Sequence, residues 1–70
     1  MSTIRVDEPD PDVVIENYGS LHLFQPLTTQ AHKWLEANTN GYWISGALAV
    51  EPRFAMHLAQ GLQDNGFMVV

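Results

Sequence analysis

The chain has 70 residues, of which 46% are apolar and 16% are charged, and it contains no cysteine. This length allows one small domain, and the apolar fraction excludes a wholly disordered chain. Three basic residues against eight acidic ones give a formal charge of −5, which opposes binding of nucleic acid through its phosphates. Without cysteine the chain has no disulfide and no thiolate metal site, which leaves oligomer formation as the usual means of stabilising so thin a core.

The N-terminal segment differs in composition from the rest of the chain. Residues 7–12 mix like charges with two prolines, which oppose both helix formation and strand pairing. They predict an acidic, mobile tail over residues 1–12, followed by one small domain over residues 13–70. The acidic start is unlike a signal peptide, and no apolar run approaches the roughly 20 residues of a membrane span. We therefore expect a cytoplasmic protein with no membrane partner.

The first predicted strand follows the tail. Residues 13–15 are β-branched, residues 21–24 are again typical of a strand, and residues 18–20 between them predict a bend. We interpret the segment as one bent strand that ends at Pro26. A tight hairpin at Tyr18-Gly19 is the alternative.

A short amphipathic helix is predicted next, over about residues 29–38. Thr28 and Thr29 are both suitable N-cap residues, and Ala31, Trp34 and Leu35 follow at helical spacing. Because so short a helix is not stable alone in water, its apolar residues must pack against the rest of the domain.

A second strand is predicted over residues 42–50. Strand alternation separates its side chains into two sets. One face carries Tyr42, Ile44, Leu48 and Val50, and the other carries Trp43, Ser45, Ala47 and Ala49.

A second helix and a last strand complete the prediction. Glu51-Pro52 begins the helix, because proline is tolerated at the first helical position and a carboxylate is favourable there. Asn65-Gly66 ends it, since glycine readily adopts the left-handed conformation of a helix C-terminus. Residues 67–70 then form a final short strand.

The predicted order is therefore β-α-β-α-β, in an α+β (or small α/β) domain. We expect two layers, with a three-stranded sheet and both short helices on one of its faces. The strands are expected to be parallel, because each connection between them includes a helix, whereas a hairpin at Tyr18-Gly19 would make the sheet mixed. The uncovered face is expected to present His22, Phe24 and Trp43, a patch too aromatic for a small monomer. It predicts self-association or a protein partner, and the alternative is that a helix or the tail covers this face.

Residues typical of catalysis form no recognisable constellation. His22, His32 and His57 lack the spacing of metal ligands, and neither serine lies in a nucleophile motif. A chain this short is also not expected to form a pocket of several hundred cubic ångströms. We expect a protein that is not an enzyme and that has no metal or cofactor. A minimal metal-binding or catalytic protein that uses these histidines is an alternative.

Arg53 is unusual because it lies in the first turn of a helix, where a cation is unfavourable by a few tenths of a kcal/mol. A carboxylate from Glu51 or the tail would offset this, and an anionic group on a partner is the functional alternative. Trp, Tyr and Arg dominate binding hot spots. The candidate contact residues are Phe24, Tyr42, Trp43 and Arg53.

Four short motifs make the chain similar to a known group of proteins. They are N-Y-G-S-L at residues 17–21, W-L at 34–35, G-A-L-A-V-E-P-R-F at 46–54 and N-G-F at 65–67. Over about residues 15–69 the chain resembles a family of very short, uncharacterised bacterial and phage- or plasmid-borne proteins. Tyr18 stands where that family tends to have histidine, and Ser45 where it tends to have glycine.

The resemblance implies a mobile-element setting, in which proteins of this size often bind and inhibit or regulate a host protein. We therefore expect a non-enzymatic interaction module of this kind. A homodimeric structural or antitoxin-like module is the alternative. Residues 1–16 carry five carboxylates against Arg5, which is −4 of the total charge of −5. The nearly neutral remainder favours binding through an apolar face over mimicry of DNA.

Overall fold

Four strands and two helices make up the computed structural model, which describes residues 10–70. The elements are β1 (Val13–Asn17), β2 (His22–Pro26), α1 (Thr29–Asn38), β3 (Tyr42–Ile44), β4 (Ala47–Val50) and α2 (Pro52–Asp64). All neighbouring strands of the sheet are antiparallel, in the order β1-β2-β4-β3. The α+β class with two helices is confirmed, whereas the predicted sheet of three parallel strands is wrong. Each of the first two predicted strands is instead a hairpin.

The first hairpin, β1–β2, is closed by residues 18–21. The side chain of Asn17 accepts a hydrogen bond from the backbone N–H of Gly19 at 2.8 Å, and Gly19 has φ +80°. An asparagine that bonds two residues ahead and a glycine with positive φ are typical of a tight reversal. The interpretation as one bent strand is therefore wrong, and the hairpin alternative is present.

The second hairpin, β3–β4, is closed by Ser45 and Gly46. Both have positive φ, +49° and +84°, as in the two-residue type I′ turn that matches the twist of the flanking strands. Trp43 therefore lies opposite Leu48, and Ile44 opposite Ala47. A continuous strand would place Trp43 and Leu48 on opposite faces, but the turn places them on the same face.

Helix α1 begins and ends where the sequence predicts. The side chain of Thr28 caps it by accepting a hydrogen bond from the N–H of Ala31 at 3.2 Å. At the other end both the N–H and the hydroxyl of Thr39 donate to the carbonyl of Leu35, at 3.1 and 2.8 Å. These bonds satisfy backbone groups that a helix end leaves free.

Helix α2 also has the predicted ends. Pro52 occupies its first turn, and Gly66, with φ +86°, follows its C-terminus. Phe67 N–H donates to the carbonyl of Leu62 and Gly66 N–H to that of Gln63, both at 3.0 Å, which is the Schellman pattern. The motif turns the chain so that Phe67 packs against the core.

The last residues pair with β1 rather than forming a full strand. A parallel bridge joins Val69 to Val13, and Val70 N–H donates to the carbonyl of Val13 at 3.0 Å. The carboxylate of Asp12 accepts from Met68 N–H at 2.8 Å. The predicted final strand is thus reduced to a bridge along the outer edge of β1. Residues 1–9 of the predicted tail lie outside the described residues.

Both helices pack on one face of the sheet, which we call the helix face. The fully buried side chains at its centre come from β1, β2, β4 and both helices. They are Val13, Phe24, Ala31, Leu35, Leu48 and Leu62. The opposite side, which we call the open face, carries Val14, Glu16, Leu23, Gln25, Tyr42, Ile44, Ala47 and Ala49 by strand register.

The predicted assignment of aromatic residues to the uncovered face is wrong. Phe24 is fully buried in the core, and Trp43 stacks on His32 of α1 with 4.7 Å between ring centroids. His22 lies opposite Val50 in the register and so also points to the helix face. Trp43 lies on the helix face because the chain reverses direction at Ser45 and Gly46.

Candidate functional site

A groove of about 580 Å³ lies at one end of the sheet. It is bordered by the end of α1, the loop of residues 39–41, the end of β4 and the first half of α2. Its size is within the range of ligand-binding pockets, roughly 300–1,000 Å³. The expectation that so short a chain forms no pocket of this size is therefore wrong.

Apolar side chains form most of the groove wall. Leu48 and Val50 of β4 are buried at its base, and Leu58 of α2 is half-buried beside them. Trp34 of α1 forms the remaining wall, and its ring packs so closely on Gly61 that a Cβ atom there would lie 3.0 Å from it. This contact fixes the distance between the two helices and therefore the width of the groove.

The rim of the groove is formed by the first turn of α2. Phe54 is 52% exposed and lines the groove. The guanidinium carbon of Arg53 lies 4.7 Å from the centroid of the Phe54 ring, and its Nη2 atom is 3.4 Å from a carboxylate oxygen of Glu51. The expected contact of Arg53 with Glu51 is thus present. The guanidinium therefore lies beside the Phe54 ring at the opening of the groove.

Two of the five polar side chains that line the groove bond to the backbone. The amide of Asn38 donates to the carbonyl of Trp34 at 2.8 Å, and the hydroxyl of Thr39 donates to that of Leu35. His57, one helical turn after Phe54, is exposed. The arrangement offers an apolar recess with an aromatic rim, and the side chains of Asn40, Glu51 and His57 add polar groups to its lining.

The three histidines lie on different elements. His22 is on β2 and His57 lines the groove, whereas His32 lies between Trp43 and Glu36, with its Nδ1 atom 3.5 Å from the carboxylate. Within residues 10–70, no group of three His, Asp or Glu side chains is placed to hold a metal ion.

The four predicted contact residues do not form one surface. Tyr42 is 74% exposed on the open face, whereas Trp43 is half-buried on the helix face of the same strand. Phe24 belongs to the core, so its selection as a contact residue is not compatible with this fold. Arg53 alone borders the groove, through Glu51 and Phe54.

Sequence reasoning assigned none of the groove residues Trp34, Phe54 and Leu58 to a site, and it considered His57 only for the alternative of a metal-binding or catalytic protein. Trp34 was expected only to pack against the rest of the domain. A signal for Phe54 is present, because it is exposed, lies off the buried Ala55 and Leu62 of its helix and is next to Arg53, as a contact residue would be.

The comparisons with family models, curated proteins and solved structures found no match. The resemblance over residues 15–69 therefore stays a prediction. In the part of the chain that the structure describes, neither helix is long and apolar enough to cross a membrane.

Proposed function

We propose that the protein is a small non-enzymatic interaction module that binds another protein through the groove. The observation that carries this proposal is the apolar recess of about 580 Å³ with a half-exposed aromatic residue, Phe54, at its rim. A large apolar side chain of the partner would enter between Trp34 and Phe54. Burying such a side chain contributes about 1.5–3 kcal/mol, and the further burial of Phe54 adds to this.

Arg53 supports the same assignment. Its guanidinium group lies over the Phe54 ring and beside Glu51, so the three side chains form a pre-arranged platform at the groove entrance. Aromatic and arginine side chains that are ordered before binding lose less conformational entropy on association. The platform thus favours recognition of a protein surface.

Charge indicates the kind of partner. The chain carries −5 overall, with most of the carboxylates in residues 1–16. Such a field accelerates association with a basic partner and opposes binding to nucleic acid. We propose that the partner is a host protein in the cytoplasm, which the module inhibits or regulates, in agreement with the mobile-element setting that the sequence resemblance implies.

A photo-crosslinking amino acid at position 54 tests the proposal in cells of the source organism. We expect it to form a discrete covalent product with one protein. The same group at position 56 should not, because Met56 is 79% exposed on the same helix but does not line the groove. Equal products from both positions, or none from position 54, would contradict a groove-specific partner.

Affinity measurements with the identified partner then show how much the rim residue Phe54 contributes to binding. Phe54→Ala should weaken binding by about tenfold or more, and Met56→Ala by less than about twofold. An unchanged affinity for Phe54→Ala would overturn the assignment of the groove.

A further inference from the structure

We propose that the open face binds a second copy of this chain, forming a two-fold symmetric sandwich of two sheets. Two of its apolar side chains are exposed, Tyr42 by 74% and Ile44 by 41%. Val14, Leu23 and Ala49 on the same face are half-buried. No helix of residues 10–70 covers these side chains, and an apolar sheet face is normally covered.

The face has a shape that complements itself. Leu23, Ala49 and Tyr42 lie in one row across β2, β4 and β3, and Ile44 lies beside Ala47. β4 contributes only alanines to this face: Ala47 is buried, whereas Ala49 is partly exposed and leaves a shallow notch between Leu23 and Tyr42. A two-fold axis places the Tyr42 ridge of each copy in the notch of the other, which is the relation that an isologous interface requires.

The distribution of charge also favours self-association through the open face, because this face carries few carboxylates. Each copy carries −5, so two copies repel one another over most orientations. Among the eight residues of the open face only Glu16 is acidic, and it lies on β1, at the opposite end of the row from Tyr42. The two copies can therefore approach at the Tyr42 end of the open face without opposing carboxylates.

The size of the face sets the strength of the dimer. The face has eight residues in each copy, against roughly 20–30 on each side of a standard interface, so it corresponds to a weak, reversible dimer. An alternative dimer would pair the exposed edge of β3 in one copy with the same edge in the other, and this geometry is less favourable than packing of the two open faces. In the type I′ hairpin only Trp43 directs its backbone N–H and C=O away from β4, so edge pairing gives about two hydrogen bonds.

Sedimentation equilibrium over about 1 μM to 1 mM protein tests the proposal. We expect the mass to rise with concentration from 7.8 kDa toward twice that value. Tyr42→Glu should raise the dissociation constant by about tenfold or more, since it places a charge in the interface. Phe54→Glu introduces the same charge at the groove and should leave the dimer intact. Circular dichroism confirms that both variants are folded.

A wild-type protein that stays monomeric at 1 mM overturns the proposal, as does a dimer that Tyr42→Glu leaves unchanged. Intermolecular NOEs in a mixed labelled and unlabelled sample fix the geometry. We expect contacts between the Tyr42 ring and the Ala49 methyl group of the other copy, whereas contacts between two Trp43 backbones would establish edge pairing instead. Ala49 lines the groove as well as the open face, but Tyr42 and Ile44 do not line the groove, so failure of the dimer leaves the proposed protein-binding function standing.

Discussion

The two hairpins of the sheet differ in how their outer strands are completed. The outer strand of the first, β1, is paired with residues 68–70 and held by the Asp12 carboxylate. The outer strand of the second, β3, pairs only with β4 among residues 10–70. The first hairpin is thus closed by the chain itself, whereas the second presents an edge and an exposed face.

The same contrast is present in the side chains. β1 contributes Val13, which is fully buried, whereas no residue of β3 is fully buried. The groove also opens beside the loop that leads into β3. The comparison teaches that the outer strand of the first hairpin is built into the fold, whereas the outer strand of the second is available for contact.

Replacing the buried aromatic residue of the first hairpin should have the largest effect. Phe24→Ala is expected to lower the free energy of unfolding by about 3–5 kcal/mol, which is enough to abolish cooperative folding in a domain of this size. Trp43→Ala, in the half-buried position of the second hairpin, should cost about 2 kcal/mol, through lost burial and stacking on His32. Urea denaturation measures both, with Gln25→Ala as an exposed control. Equal losses in the free energy of unfolding for Phe24→Ala and Trp43→Ala would contradict the difference between the two hairpins.

Adding a methyl group at Gly41 tests how tightly β3 is joined to the core. The new Cβ would overlap the side chain of Leu48, which is fully buried and has little room to move. We expect a loss of about 2 kcal/mol in the free energy of unfolding. The exposed neighbour Asn40, changed to alanine, should be nearly neutral in the same denaturation experiment.

Removing the Asp12 carboxylate tests the closure of the first hairpin. Asp12→Ala should cost about 1 kcal/mol, because the N–H of Met68 loses its partner. Amide hydrogen exchange at Val70 should accelerate, since its N–H bonds to Val13 in the same pairing. Asp10→Ala provides the matched control. Unchanged exchange in the Asp12 variant would show that the carboxylate does not hold this edge.

The smallest effect is expected at the turn of the second hairpin. Ser45 has φ +49°, a conformation that asparagine adopts more readily than serine. Ser45→Asn should therefore stabilise the protein by about 0.5 kcal/mol. Ser20→Asn, at a position without positive φ, should not. A destabilised Ser45 variant would argue against the type I′ assignment.

The helices could be predicted because their signals are local. Thr28, Pro52 and Gly66 each act on backbone groups within a few residues, and the structure uses all three as expected. The strands were harder to predict, since Ser-Gly is a weaker hairpin signal than Asn-Gly. Interpreting residues 42–50 as one strand moved Trp43 to the wrong face, because a two-residue turn reverses the alternation.

The groove could not be predicted for a different reason. Its walls come from α1, β4 and α2, and its width depends on the contact between Trp34 and Gly61, which are far apart in the chain. Periodicity shows which residues of a helix are buried but not where two helices leave space between them. The choice of Arg53 as a contact residue stays a prediction, which rests on hot-spot chemistry that can be recognised in a single residue. The structure places it against the groove residues Glu51 and Phe54.

The pairing of Asp12 with Met68 also affects the kinetics of folding. These residues are 56 positions apart, so this contact closes a loop that includes nearly the whole domain. Such a contact forms after the local hairpins and helices, and it should contribute little to the transition state. Substitutions at this junction should therefore accelerate unfolding while leaving the folding rate almost unchanged. The junction would then determine how long a folded molecule lasts, while the local elements determine how quickly it forms.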